Sequence, residues 1–423
     1  MKQKTGRALH NTYSLFTGIV IVSFFIGSVM AKTPVELVKL TANDSVEKDY
    51  FGYDVALSGG TLIIGATEVD DIVRGQNLGA AYVFVRSGKS WLQQAKLIAK
   101  DGAASDQMGG KVAISGDTTI IGAIRNDDPS NGVDTGAAYV FVRSGKQWIQ
   151  QAKLIANDAA EGDSLGWSIA ISGDFAVVGA PKDDDNGKDS GSVYFFKRDG
   201  AKWSQQAKIK ASDGAAGDVF GISVALSGNT ILVGADLNDE KVLNAGAVYV
   251  FVRSGNHWLQ QAKLMAEDAG ETDIFGVRVA LDGDTALISA RRDDDENNGV
   301  DSGSAYVFVR TGTKWIQQEK LTAPDAAADD RFARSVAIDG DVALIGAMFQ
   351  DDKGKNSGSA YLYKRLGSDW KFDSQFTAAD VAAGDVFGWS VALSGSTAIV
   401  SANRDDDSGE NSGAVYVFEV SDD

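Results

Sequence analysis

The sequence predicts an all-β fold, a seven-bladed β-propeller of four-stranded antiparallel blades whose ring is closed by an N-terminal strand that completes blade seven. Three observations carry the prediction. One unit of 55 or 57 residues recurs seven times along nearly the whole chain. Each full unit holds four short β-type segments with no helical period between them. The last unit lacks its fourth segment, and a matching one stands ahead of the first unit.

The repeats start near residues 51, 108, 165, 220, 275, 332 and 387, at Phe51-Gly52, Met108-Gly109, Leu165-Gly166, Phe220-Gly221, Phe275-Gly276, Phe332-Ala333 and Phe387-Gly388. VALSGGTLIIGA, residues 55–66, reads as two strands joined by a two-residue turn. Glycine leads that turn in every copy, from Gly59 to Gly395, as a positive φ requires. The third segment, AYVFV, sets Tyr82 and Phe84 against Val83 and Val85, so both faces are apolar and the strand is expected to be covered on both sides. The fourth, W-x-QQAKL, begins at Trp91, Trp148, Trp203, Trp258 and Trp315, is degenerate at Trp370, and is polar enough to be outermost. The chain ends after GAVYVFEV, whereas VELVKLTAND at 35–44 is a fourth-type segment without a blade; residues 35–41 are therefore expected to complete blade seven and cover its edge.

Composition narrows the chemistry. The 423 residues carry 58 acidic and 40 basic side chains, a formal charge of -18, no cysteine and 2 histidines. An acidic excess argues against a nucleic-acid partner, because phosphate contacts need clustered Lys and Arg. Without cysteine there are no disulfides, thiolate metal sites or thiol nucleophiles, and His257 alone in the body leaves little for a histidine-based catalytic triad.

Residues 1–31 read as a signal peptide. Lys2, Lys4 and Arg7 precede an uncharged stretch with the apolar centre GIVIVSFFIGSVMA, ending in small residues before Lys32. The stretch also has the length of a membrane span, so an uncleaved signal anchor is the alternative. After cleavage, residues 32–423 would form a single propeller outside the cytoplasm, secreted, periplasmic or on the cell surface. No membrane insertion and a monomer are then expected.

With FG followed by GA or GAP in seven copies, residues 35–423 resemble the exported bacterial FG-GAP repeat proteins and the N-terminal propeller of integrin α subunits. The resemblance implies adhesion or recognition rather than catalysis. It does not carry over the integrin calcium loops, because here the connection between FG and GA is only the hairpin turn.

The copies act as controls for one another. All length variation lies between the GA landmark and the third strand, which marks that loop as an adjustable surface element. The loop is acidic, and DDDNGKD from Asp183 with its relatives in blades five and seven could present oxygens to Ca²⁺ through Asp183, Asp185, Asp189, Asp293, Asp295, Asp301, Asp405 and Asp407. The other reading is a solvated loop whose Asp side chains cap local turns. A second acidic pair, D-x4-D ahead of each FG (Asp44 and Asp49 through Asp380 and Asp385), occurs in all copies and reads first as turn architecture, with a shared cation as the alternative.

In an up-and-down blade both acidic loop sets emerge on one face. The opposite face receives Arg86, Arg143, Arg198, Arg253, Arg310 and Arg365, so the disc is expected to be polarised. The repeated Trp of the fourth strand is expected to pack rather than to bind sugar. The residue after FG differs in every blade: Tyr53, Gly110, Trp167, Ile222, Val277, Arg334 and Trp389. Of these, Tyr53, Trp167, Trp389 and Arg334 are the candidate ligand contacts, near the central mouth of the acidic face; inter-blade packing is the competing role. The expected function is a non-enzymatic binding or adhesion module for a protein or glycan partner at the cell surface, with a multivalent lectin as the alternative. A carboxylate-pair hydrolase is disfavoured, since a catalytic pair would break the repeat.

Overall fold

A computed structural model describes residues 1, 34–255, 257–295 and 298–421. The expected signal segment, apart from Met1, lies outside the described residues. Residues 32–423 form one compact unit of seven four-stranded antiparallel sheets. Blade one consists of Val55–Ser58, Thr61–Ala66, Ala80–Ser87 and Ser90–Leu97, ordered from the inside outward. Blades two to six repeat this order over 108–154, 168–209, 223–264, 279–321 and 332–376. Among the described residues no helix is long and apolar enough to cross a membrane.

Blade seven is built from both chain ends. Val391–Ser394, Thr397–Ala402 and Ala414–Glu419 are its first three strands, and Val35–Leu40 pairs antiparallel with the third, Leu40 opposite Val415 and Val35 opposite Glu419. The expected closure by residues 35–41 is therefore present, one residue shorter.

Each layer of the blade follows from its residues. The two-residue hairpins put their leading glycines at φ of 54 to 58°. The second and third strands, β-branched and aromatic on both faces, are buried on both faces between neighbouring blades. Phe51 meets Tyr82 edge-on with ring centroids 5.4 Å apart, and Phe220, Phe275, Phe332 and Phe387 repeat the contact at 5.4 or 5.5 Å. The FG backbone docks on the preceding blade: Met108 N–H donates to Leu78 C=O at 3.0 Å. The fit explains the glycine that opens the third strand, since a Cβ on Gly79 would stand 2.1 Å from the Met108 carbonyl oxygen.

The W-x-QQAKL motif is an inter-blade clamp. The indole N–H groups of Trp148, Trp203, Trp315 and Trp370 donate to Gln94, Gln151, Gln261 and Gln318 of the preceding blade at 2.9 to 3.2 Å. The first Gln accepts a backbone N–H from the loop leaving the preceding blade, as in Lys100 to Gln150 at 2.8 Å. The Lys reaches the first Asp of the pair in that loop: Lys96 to Asp44, Lys153 to Asp101, Lys208 to Asp158, Lys263 to Asp213, Lys320 to Asp268 and Lys39 to Asp380, all within 2.6 to 2.9 Å. In blade six Gln375 takes the place of Lys and donates to Asp325.

The second Asp of each pair is buried and accepts the backbone N–H three residues earlier, from Val46 to Asp49 through Ala382 to Asp385. Burial pushes Asp49, Asp163, Asp273, Asp330 and Asp385 up to about 6. A carboxyl whose folded value lies above its unfolded value favours the native state below the unfolded value, near 3.8, and loses that contribution as pH rises through about 6. Asp44, Asp101, Asp213, Asp268 and Asp380 move the other way. Burial opposes ionisation there, but the Lys hydrogen bond and charge outweigh it, so their contribution is lost only on further acidification. Acidifying from pH 7.5 to 5.5 should therefore raise the melting temperature, by roughly 5 °C. Asp163→Asn, which retains the acceptor for Ala160 N–H, should reduce the rise by about one fifth; a melting temperature that falls over this interval would contradict the assignment.

Candidate binding site at the mouth of the central channel

The first strands of all seven blades line one axial cavity. Its wall contains Tyr53, Asp54, Lys111, Ser168, Ser223, Arg278, Arg334, Ser335, Trp389 and Ser390, and its volume is about 160 Å³. An adjoining space of about 120 Å³ shares Tyr53, Lys111 and Arg278 and extends to Thr67, Glu68 and Trp167. Of the four candidate contacts, Tyr53, Arg334 and Trp389 line the first space, and Trp167, half-buried, lines the second. Trp389 also has a packing duty: its indole N–H donates to Tyr53 C=O across the blade seven to blade one junction at 2.9 Å, and the two rings lie 5.6 Å apart. Arg334 is 8 % exposed and stacks on Trp389 with its guanidinium 3.9 Å from the ring centroid.

Lys111, Arg278 and Asp54 were missed by reading only the position after FG. The next position is Ser in four blades (Ser168, Ser223, Ser335, Ser390) and Asp54, Lys111 and Arg278 in the other three. That break in the repeat was the available signal. Asp54 accepts from Lys111 Nζ at 2.9 Å, from Val112 N–H at 2.9 Å and from Ser390 Oγ at 3.2 Å. Burial, reinforced by the positive charges of Arg278 and Arg334, pushes Lys111 down to about 8, although Asp54 opposes the shift. The wall is thus cationic and aromatic in a protein whose net charge is -18.

The acidic loops around this mouth are differently organised. Asp183 is buried and accepts from Ser192 Oγ, Tyr194 Oη and Lys208 Nζ at 2.8 to 2.9 Å. Asp293 is held alike by Ser304, Tyr306 and Lys320, and Asp405 by Tyr416 and Lys39. Asp185 and Asp407 add to the Lys208 and Lys39 clusters. Asp295 accepts Asn298 N–H in the blade-five loop. Asp189 and Asp301 sit at φ of 54 and 56°, a position filled by Asn77, Asn244, Asn356 and Asn411 in other blades; Asp and Asn tolerate that conformation best after glycine. Their backbone N–H groups donate to Asp184 and Asp294. Among the described residues, one trio of carboxylates brings its oxygens within 4.8 Å of one another: Asp380, Asp405 and Asp407. Lys39 Nζ stands in it, at 2.9, 2.8 and 2.5 Å. Those carboxylates suit a cation, and the chain supplies an ammonium.

The opposite face is less cationic than its sequence suggests. Arg143, Arg198, Arg310 and Arg365 pair with Asp117, Asp174, Asp284 and Asp341 of the hairpin turns, which mutes the expected polarisation.

The geometry serves binding: two adjoining spaces with blade-specific walls, in which Asp54 is already committed to Lys111 and Glu68 lines the outer space. No match is found among curated proteins. The family model for the FG-GAP repeat matches seven times, at residues 34–84, 91–141, 148–196, 203–251, 258–308, 315–363 and 370–418. Matched over most of its length by a repeat that its own strands and landmarks reproduce, the chain belongs to the FG-GAP repeat family.

Proposed function

We propose that this propeller is an exported, non-enzymatic binding module that holds a protein or glycan partner at the channel mouth on its loop-rich face. The observation that carries the reading is the distribution of differences. Residues needed by every blade are committed to blade contacts, whereas Tyr53, Lys111, Trp167, Arg278 and Arg334 differ from blade to blade and line one connected cavity. Propeller architecture alone would not choose a function. Export rests on residues 1–31, read as a cleaved signal peptide, and the covering of blade seven's edge by the chain's own N-terminal strand supports a monomer. The multivalent lectin reading loses support because four of its repeated Trp indoles are engaged by the preceding blade.

Trp167 is the clean probe, since Trp389 also ties blade seven to blade one. Trp167→Ala should weaken capture of cell-surface material or of array glycans and leave the melting temperature nearly unchanged. Replacing Lys89, Lys146 and Lys314, which lie in or beside the turns between third and fourth strands on the opposite face, with alanine should have little effect. Equal losses from both sets would contradict the placement.

A second reading, calcium at Asp380, Asp405 and Asp407, is favoured by the closeness of their oxygens. Calcium must displace the Lys39 ammonium there. Lys39→Gln imitates Gln375 of blade six, so millimolar Ca²⁺ should raise the melting temperature of that variant more than that of the native chain. Identical melts of the variant with calcium and with chelator would end this reading.

A further inference from the structure

We propose that the channel mouth receives a single acidic sugar unit, its carboxylate held by Arg278, Arg334 and Lys111 and its ring lying along Trp167 and Tyr53. The proposal rests on the reading of the mouth as the recognition site and adds the chemistry of what enters it.

The first support is the way the cations were accommodated. At the second position after FG, the serines of three blades fasten the next blade, donating to Gly221, Gly276 and Gly388 C=O at 2.7, 2.6 and 2.9 Å. Arg278 replaces that serine in blade five. The bond is retained from another residue, because Ser289 stands at the glycine of the GA landmark and its Oγ donates to Ala333 C=O. The fastening is preserved, and the side chain at 278, released from that role, lines the cavity with one guanidinium N–H donating to Val277 C=O at 2.7 Å.

The second support is arginine charge that no ion pair neutralises, the buried Asp236 attracting Arg278 and Arg291 only from beyond ion-pair distance. Among the described residues no carboxylate oxygen lies within 4 Å of Arg278, Arg291 or Arg334, and Asp54 is occupied by Lys111 and a backbone N–H. Arg334, more than nine-tenths buried, has no partner for its Nε–H, and neither has Arg291. Burial and then the neighbouring arginines push Arg291 down to about 10 and Arg334 well below its ordinary value. Guanidinium groups cannot readily shed this repulsion by deprotonation, whereas an oxyanion removes it and supplies the missing acceptor.

The third support is shape. The cavity of about 160 Å³ and its neighbour of about 120 Å³ meet at Tyr53, Lys111 and Arg278. One holds the cations and the other leads to Trp167. An acid group in the first and a ring against Trp167 in the second match an acidic monosaccharide, whose CH face packs on aromatics.

Tryptophan fluorescence of the full-length chain, titrated with D-glucuronate and with D-glucose, tests this. Glucuronate should give a saturable change that weakens with salt, and glucose none. Arg278→Ser restores the residue of the other blades and should fold normally, yet lose about tenfold or more in glucuronate affinity, as expected for one charge-assisted contact. Trp167→Ala should lose affinity as well. The proposal fails if glucose matches glucuronate, if Arg278→Ser binds glucuronate undiminished while melting normally, or if an aspartate-containing peptide binds through Arg278 and glucuronate does not. Should glucuronate fail while Trp167→Ala still impairs capture of the partner, the mouth remains the recognition site and only the acidic sugar is wrong.

Discussion

A chain beginning at Ala42 should lose its single cooperative melt and associate. Removing Val35–Leu40 takes the outer strand from blade seven, exposing the edge of Ala414–Glu419. It also removes Lys39, so Asp405, whose side chain is 2 % exposed, is left buried without its cation. An unpaired edge is a template for a second chain, and each blade of a ring depends on its neighbours. A melt equal to that of the full chain, with no change in oligomeric state, would show that closure contributes nothing.

The second large effect distinguishes the two partners of one ion pair. Lys208→Met should cost about 3–5 kcal/mol, because Asp183 would remain buried with a lost counter-charge. Asp183→Asn should cost much less, since blades two and four already carry Asn126 and Asn238 at this position. There the Asn donates to the second Asp of the pair, at 3.0 Å from Asn126 to Asp106 and 3.1 Å from Asn238 to Asp218. Chemical denaturation of both variants reads the asymmetry. Equal costs would mean that the lysine contributes through its stem and ring contacts rather than as the counter-charge of Asp183; its Nζ lies 5.3 Å from the Tyr194 centroid.

The architecture was legible because repetition removes ambiguity. A single copy of VALSGGTLIIGA suggests a hairpin, and seven copies with a displaced fourth strand specify a ring and its closure. What the repeat could not reveal was contact between copies. Lys208, Asp158 and Asp183 come from an outer strand, an inter-blade loop and a variable loop, and nothing in their spacing shows that they converge. An Asp-rich loop therefore reads either as oxygen ligands for calcium or as a solvated, turn-capping loop, and neither reading discloses the lysine inside it. Asp189 and Asp301 offer oxygens by their residue type, and the reason their place in the repeat is shared with asparagines, a left-handed backbone, is seen only in the fold. Lys111 and Arg278 were legible in principle, one column beyond Trp167 and Arg334. Recognising that Arg278 is released from packing needs the compensating Ser289, which only the fold brings beside Ala333.

Hydrogen exchange of the propeller with and without its bound partner tests the central claim most directly. If recognition uses the positions at which blades differ, protection should fall on segments 53–54, 110–111, 167–168 and 277–278 and on the loops around Asp183 and Asp293. Protection confined to the turns bearing Lys89, Lys146 and Lys314, with the channel mouth unchanged, would contradict it.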